Sequence, residues 1–425
     1  TNGSGGERND ETRGHGPRLI PDRMGRRQVS FEALVERLED EFIAEYAETE
    51  ALAQAKTTTE RLKLINATMD YVLAVESMQL APADRAALIE RVYSALFGYG
   101  PLDAYLLDPR VTTIALDGAE RASVRYGHGD LVPLGPIFQS EGHLRRVLRR
   151  LLLDAGTDLY DDQPIVETGL LIDGRPVCVN LVAPPLTTAY TVDMRVHPAV
   201  PVTLDALTET GFMTDEAADM LRRLAMSAHG VVIVGDTESG KTTLLGALAQ
   251  HVPEPARVVT VERAGELRLP SEAQRLVTRW RSGDDRGATF GDQIGAALAL
   301  SPGCMLLDEV RADEPEAIAP LLLQPNAPRQ LWSFRGPFDS KRLRSALTML
   351  ARRSDMAQGE AQVAALYRRL PFVVTMWRSG GTIRLYSVAE WQFRHSEDYP
   401  DYVPLLQMQD GELRATGEQP ALLLG

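Results

Sequence analysis

The sequence predicts two domains, an α+β domain followed by an α/β domain with a mainly parallel sheet. The chain has 425 residues, more than one compact domain usually holds, and 44% of them are apolar, which is typical of globular proteins. Strand-like segments around a single helix precede residue 196. Beyond it, apolar strands alternate with helices, a pattern typical of a parallel sheet covered on both faces.

The first 97 residues are predicted to be a lead followed by helices. Residues 1–28 are polar and glycine-rich without periodicity, which favours a flexible lead. The region 29–97 is predicted to be helical. Helical spacing predicts helices over 59–75 and 83–97. Before them, one apolar helix face is formed by Phe31, Leu34, Leu38 and Phe42.

The α+β domain is predicted over 98–195. It opens with a break at 98–102 that is rich in turn residues. Strands are predicted over 111–116, 122–125 and 176–182, and a helix over 143–153. The stretch 196–205 contains prolines and is predicted to be a linker.

The α/β domain is predicted over 206–425. A helical pattern over 203–226 leads into it. Strands at 230–234, 257–261 and 304–307 then alternate with helices at 242–251 and 289–298. The strands are short, continuous apolar runs, as strands buried on both faces are.

A phosphate-binding motif follows the first of these strands. The sequence G-x-x-x-x-G-K-[ST] is matched in full by Gly235, Asp236, Thr237, Glu238, Ser239, Gly240, Lys241 and Thr242, and Thr243 follows it. Between a strand and a helix, such a loop surrounds phosphates with backbone N–H groups. Lys241 would reach the β- and γ-phosphates of ATP, and Thr242 would ligate Mg²⁺. A chance match is disfavoured because the chain has only four lysines.

Carboxylates end the two following strands. Asp308 is a candidate ligand of Mg²⁺ or its water, and Glu309 is a candidate to activate the attacking water. Alone, this pair would fit two solvated carboxylates equally well; the phosphate loop favours the functional interpretation. Glu262 and Glu266 follow the strand at 257–261, and either could position water or metal.

These motifs resemble those of the traffic ATPases of type II and type IV secretion and pilus systems, with the tight-adherence pilus branch as the most similar. The resemblance runs from about residue 90 nearly to the C-terminus and implies a RecA-like phosphate-loop domain. Gly98-Tyr-Gly-Pro-Leu102 and Leu107-Asp-Pro-Arg-Val-Thr112 match its opening pattern. Glu262 and Glu266 match its acidic box, and Pro302 to Arg311 its second acidic motif. Arg195 matches its arginine before the linker, with Arg175 and Arg125 as weaker candidates.

The chain departs from the family pattern at four positions. Arg263 replaces an aspartate of the acidic box, and Asp308 replaces a glycine. Arg335 stands where the family has a histidine; it either senses the γ-phosphate or marks a site that has lost coupling. Glu238 replaces a glycine of the phosphate loop. It points either toward the phosphates, where it weakens nucleotide binding, or outward to an arginine of a neighbouring subunit, which we expect.

The resemblance implies a homohexameric ATPase ring in the cytoplasm that binds ATP and Mg²⁺ and moves an inner-membrane platform protein. The alternative is a catalytically weak or inactive ring subunit with a structural or regulatory role. The net charge of −14 disfavours a nucleic-acid partner. Two cysteines exclude the family's four-cysteine zinc module. What the ring would move, whether pilin, another protein or DNA, is left open by the sequence.

Overall fold

The computed structural model describes residues 19–21, 28–47, 49–254, 256–269, 273–379, 381–396 and 399–424. The chain forms two compact units, Thr1–Ala104 and Tyr105–Gly425. Most of the predicted lead, 1–28, lies outside the described residues. Its described part contains a short strand, β1 (Leu19–Pro21), which pairs antiparallel with β2 (Gln28–Ser30).

The first unit is built mainly from helices. They are α1 (Phe31–Tyr46), α2 (Glu50–Gln54), α3 (Thr58–Val75) and α4 (Pro82–Phe97), and a short 3₁₀ helix (Gly100–Leu102) follows. Ser30 caps α1, and Thr57 with Glu60 forms a capping box at α3, which satisfies N–H groups at each helix start. The apolar face predicted for α1 is confirmed at Leu34 and Leu38, which are buried in the core.

The second unit begins with an antiparallel sheet of six strands. A short helix, α5 (Asp103–Leu106), spans the boundary between the units. The elements that follow are β3 (Val111–Asp117), β4 (Arg121–Tyr126), β5 (Val132–Gly135), α6 (Glu141–Asp154), β6 (Ile165–Ile172), β7 (Arg175–Val182) and β8 (Thr191–Val196). The strand order is β5-β4-β3-β8-β7-β6. This sheet with its single long helix, α6, is the α+β architecture that the sequence predicts.

One residue row crosses five neighbouring strands of this sheet on a single face. Directly paired residues of neighbouring strands point to the same face. The row consists of Arg125, Thr113, Arg195, Cys178 and Gly169, on β4, β3, β8, β7 and β6. Two residues along, the same face carries Asp193 and Glu167. The face therefore concentrates charged side chains.

The rest of the second unit is built around a sheet of nine strands. Its helices are α7 (Leu204–Glu209), α8 (Asp215–Met226), α9 (Lys241–Ala249), α10 (Phe290–Ala299), α11 (Ala319–Leu322), α12 (Ser340–Ser354) and α13 (Gly359–Arg369), with a 3₁₀ turn at Pro315–Ile318. Its strands are β9 (Val231–Gly235), β10 (Val258–Glu262), β11 (Gln274–Val277), β12 (Cys304–Val310), β13 (Arg329–Arg335), β14 (Phe372–Ser379), β15 (Thr382–Gln392), β16 (Asp401–Gln409) and β17 (Glu412–Ala415).

The strand order of this sheet is β11-β10-β12-β13-β9-β14-β15-β16-β17. The six strands from β11 to β14 are parallel and the last three are antiparallel, so the predicted mainly parallel sheet is confirmed. Separate apolar clusters cover its two faces. Because the six parallel strands share one direction, their carboxyl ends meet at one edge of the sheet.

The prediction of one continuous helix over 203–226 is wrong. Helix α7 ends before Gly211, whose φ of +73° is a conformation that does not continue a helix. Thr214 then caps α8 by accepting a hydrogen bond from the N–H of Ala217. Within the described ranges, no helix combines the length and the apolar character that crossing a membrane requires.

Candidate functional site

The loop between β9 and α9 has the geometry typical of a phosphate-binding loop. Strand β9 ends at Gly235 and α9 begins at Lys241, directly after Gly240 with φ +85°. A Cβ atom at Gly235 would lie 2.4 Å from Ser239 Oγ, so a larger residue there would force this hydroxyl to move. The loop is thus held tightly at the start of a helix, where N–H groups point toward an anion.

Four predicted residues meet at the carboxyl edge of the sheet. Lys241 Nζ lies 3.0 Å from Glu309 Oε2 and donates a hydrogen bond of 2.8 Å to the carbonyl of Asp236. Thr242 Oγ1 donates to Asp308 Oδ1 at 3.1 Å. Two neighbouring contacts, Lys241 with Glu309 and Thr242 with Asp308, therefore bring the lysine, the hydroxyl and both carboxylates to one place.

Asp308 is buried, and this burial raises the pKa of its carboxyl to about 7. The nearby carboxylates of Glu266, Glu262 and Glu309 contribute to this rise, whereas a 2.5 Å hydrogen bond from Ser333 Oγ opposes it. A group with this surplus of nearby negative charge is suited to a cation.

The residues present fit a nucleotide phosphate and its metal. Ser239 Oγ is buried in the phosphate loop and has no hydrogen-bond partner in the described chain. Buried polar atoms are nearly always paired in native proteins, so an unpaired hydroxyl here is suited to a ligand oxygen. Thr242 and Asp308 supply the hard oxygen ligands that Mg²⁺ prefers.

The charged face of the six-stranded sheet lies against this edge. A Cβ atom at Gly169 would lie 1.8 Å from the carbonyl oxygen of Ala264, so the two sheets make backbone contact there. Three ion pairs join the same surfaces: Arg125 with Glu238, Arg195 with Glu266, and Glu167 with Arg311. Each pair includes at least one residue that the sequence predicts for the site.

Glu266 is buried in the second of these contacts. Arg195 Nη2 lies 3.1 Å from its Oε1, and His197 Nε2 lies 3.1 Å from its Oε2. Burial alone would raise the pKa of Glu266, but the charge of Arg195 and the contact with His197 hold this pKa well below its usual range. Glu266 is therefore a permanent anion that positions Arg195 and the start of the predicted linker.

The carboxylate of Glu262 is fully buried beside β11. It accepts two hydrogen bonds of 3.0 Å from Arg275, one of 2.8 Å from Thr260 Oγ1 and one of 2.9 Å from the N–H of Leu267. Four donors occupy both oxygens. In this arrangement Glu262 links the end of β10 to β11 through Arg275, and it is not free to position a water.

Arg311 directly follows β12 and extends toward the six-stranded sheet. It donates two hydrogen bonds of 2.7 Å to Glu167, and its Nε lies 3.6 Å from Glu309 Oε1. Contact with these carboxylates raises the pKa of Arg311, despite the opposing effect of burial. Glu309 thus lies between two cations, Lys241 and Arg311.

Glu238 of the phosphate loop is paired with two arginines. Its Oε2 accepts a 2.6 Å hydrogen bond from Arg125 and a second one from Arg378. Both arginines belong to the same chain as Glu238. The expected pairing with an arginine of a neighbouring subunit stays a prediction.

The other predicted arginines have different surroundings. Arg175 is buried and donates to backbone carbonyls, among them those of Asp108 and Val111 at 2.8 Å, so it has a structural role. Arg335 ends β13 beside Gly235, is exposed, and has no polar partner in the described ranges. Thr243, in the first turn of α9, borders a cleft that His197 and Arg268 also line.

Sequence reasoning missed Ser333, His197, Glu167 and Arg378. Ser333 lies two residues before Arg335, which stands where the family has a histidine. The position of this motif could therefore have indicated that Ser333 lies at the site. Glu167 and Arg378 stand in strand patterns with no local motif. Only the pairing of distant strands brings them to the site.

Comparisons with known proteins agree with this fold. A family model described as "Type II/IV secretion system protein" matches residues 120–321. A putative conjugal transfer protein of Mycobacterium tuberculosis is 31% identical over 55% of this chain and 68% of its own length. An uncharacterized protein of Methanocaldococcus jannaschii is 26% identical over 57% of this chain, but the match covers only 44% of that protein.

The structure of the Legionella pneumophila ATPase DotB has the same fold, with a TM-score of 0.51 at 15% identity. It covers 71% of this chain and 81% of DotB. The chain is thus a two-sheet protein with a phosphate loop, in which acidic residues lie at the carboxyl ends of the parallel strands. With the mycobacterial relative and the family model, these features show that the chain belongs to the type II/IV secretion system protein family.

Proposed function

We propose that this chain binds ATP with Mg²⁺ and hydrolyses ATP as the motor of a secretion or pilus-assembly system. The observation that carries the proposal is the meeting of Lys241, Thr242, Asp308 and Glu309 at one sheet edge. Nucleotide binding, metal ligation and water activation each have a suitable residue there.

Each residue has a distinct role in this proposal. Lys241 leaves the carbonyl of Asp236 and Glu309 to bind the β- and γ-phosphates, which frees the Glu309 carboxylate to accept a proton from water. Thr242 and Asp308 would hold Mg²⁺, whose charge would stabilise the negative phosphate oxygens. Arg195 and Arg311, each attached to a carboxylate, hold the six-stranded sheet over the site.

We further propose a homohexameric ring of the tight-adherence type, located in the cytoplasm, that acts on an inner-membrane platform protein. This part rests on the motif resemblance. The name of the mycobacterial relative, a putative conjugal transfer protein, and the family description are consistent with a transport role. The proposal leaves the transported molecule open.

A second candidate function is a ring subunit that binds nucleotide but hydrolyses it weakly or not at all. Two observations favour it. Arg335 replaces the family's histidine and is exposed without a polar partner in the described chain. Glu238 attaches the phosphate loop to Arg125 and Arg378, which opposes movement of the loop.

Equilibrium binding of a fluorescent ATP analogue with Mg²⁺ tests the proposal. Lys241→Ala should abolish binding, because it removes the cation that contacts the phosphates. Lys341→Ala is the matched control, because Lys341 is an exposed lysine at the start of α12. Failure of the wild type to bind at millimolar nucleotide, or equal binding by Lys241→Ala, would contradict nucleotide binding at this loop.

A further inference from the structure

Glu238 is held in the middle of the phosphate loop by two arginines from two different sheets. Arg125 comes from β4 of the six-stranded sheet and Arg378 from β14 of the nine-stranded sheet. Both guanidinium groups donate to the same oxygen, Glu238 Oε2. All three side chains are mostly buried, with exposed fractions of 14% for Arg125, 22% for Glu238 and 23% for Arg378.

The backbone at Glu238 has a conformation that is unfavourable for a residue with a side chain. Its φ is +58°, in the left-handed region that glycine adopts without a steric cost and glutamate does not. The contacts with the arginines hold its carboxyl charged: they lower the pKa of Glu238, although burial alone would raise it. Both facts indicate that the carboxylate itself is what the loop needs at this position.

The cluster has more positive than negative charge. Two guanidinium groups share one carboxylate oxygen, and Nε of Arg125 is buried without a hydrogen-bond partner in the described residues. Unused guanidinium donors beside a phosphate-binding loop fit a phosphate oxyanion, which accepts hydrogen bonds from forked N–H groups.

We propose that Glu238 is an internal competitor of the nucleotide phosphate for Arg125 and Arg378. Without nucleotide, the carboxylate occupies the two guanidinium groups and attaches the loop to both sheets. When a nucleotide binds, a phosphate oxyanion takes over these groups and Glu238 swings away. This inference rests on the proposed function. It makes Arg378 a phosphate-binding residue that pairs with Glu238 when no nucleotide is bound.

Removing the carboxylate of Glu238 should therefore tighten nucleotide binding, because Arg125 and Arg378 are then free to bind phosphate. Glu238→Gln keeps the size of the side chain and removes its charge, and we expect about tenfold tighter binding of a fluorescent ATP analogue with Mg²⁺. Glu216→Gln is the matched control: it makes the same change of residue type at an exposed glutamate of α8 that has no polar partner in the described chain. This control should change affinity by no more than about threefold.

Arg378→Gln distinguishes competition from simple charge repulsion. In the wild-type background it should weaken binding by no more than about threefold, because Glu238 already occupies Arg378. In the Glu238→Gln background it should cost about tenfold or more, because the arginine is then free for the phosphate. Thermal melting of each variant checks that it is folded, and Glu238→Gly, which suits the positive φ, replaces Glu238→Gln if that protein does not fold.

The results separate this inference from the proposed function. Tighter binding by Glu238→Gln, together with the background-dependent effect of Arg378→Gln, supports the competition. If Glu238→Gln binds no more tightly than Glu216→Gln, or if the effects of Glu238→Gln and Arg378→Gln are additive, the competition is refuted while nucleotide binding stands. Absence of binding by wild type and every variant would contradict the proposed function and, with it, this inference.

Discussion

The backbone contact between the two sheets allows a quantitative test at Gly169. Gly169→Ala adds one methyl group whose carbon would lie 1.8 Å from the carbonyl oxygen of Ala264. An ordinary contact is about 3.4 Å, so the sheets must separate locally by more than about 1 Å. Overpacking by one carbon typically costs about 1–3 kcal/mol, and a backbone obstacle belongs at the upper end. We therefore expect a loss of about 3 kcal/mol in the free energy of unfolding.

Urea unfolding monitored by circular dichroism measures this loss. Gly295→Ala is the control, because Gly295 lies inside α10 and a Cβ atom there meets nothing within 4 Å. That change should stabilise the protein by about 0.5–1 kcal/mol through helix propensity. If Gly169→Ala is as stable as the wild type, the sheets do not meet as described, and the ion pairs that join them lose their structural basis.

Three other predictions follow from the site. Glu309→Gln should bind MgATP as wild type does but release phosphate about 10²- to 10⁴-fold more slowly, since it lacks the general base; unchanged turnover removes Glu309 from the mechanism. The pKa of Asp308 is raised from 3.8 to about 7 in the folded protein. Between pH 3.8 and about 7 the folded protein therefore binds more protons than the unfolded chain, and the free energy of unfolding falls as the pH rises through this range. In metal-free buffer, Asp308→Asn should therefore gain stability over wild type, by about 2–4 kcal/mol at pH 8 and little at pH 4; a pH-independent difference refutes this. Glu262→Ala should lose about 3 kcal/mol in urea unfolding because Arg275 and the Leu267 N–H lose their partner, while the folded protein keeps its ATP affinity; a loss of affinity without a loss of stability would give Glu262 a catalytic role.

Local motifs carried most of what the sequence could predict. The strand, loop and helix around Lys241 follow from eight consecutive residues, and the strand ending at Asp308 follows from an apolar run. The parallel sheet follows from the alternation of strands and helices. The break at Gly211 was missed because a single glycine inside an amphipathic pattern does not by itself end a helix.

Long-range pairing decided the rest. The sequence alone does not distinguish the roles of Glu262 and Glu266. In the structure, Glu262 pairs with Arg275 of the neighbouring strand, whereas Glu266 pairs with Arg195 of the six-stranded sheet. The partner of Glu238 depends on the register of β4 and β14, which no residue near the loop encodes. Spacing along the chain identifies candidate groups, but the sheets determine which groups meet.

Steady-state phosphate release is the most direct test of the central claim, that the loop at Lys241 serves ATP hydrolysis. Purified wild-type protein with ATP and Mg²⁺ should release phosphate, and Lys341→Ala should do so at the same rate. Lys241→Ala should show no release above background, because the phosphates lose their main cation. A Lys241→Ala protein that releases phosphate as fast as wild type would contradict the claim, and a wild type that binds ATP without releasing phosphate would favour the inactive ring subunit.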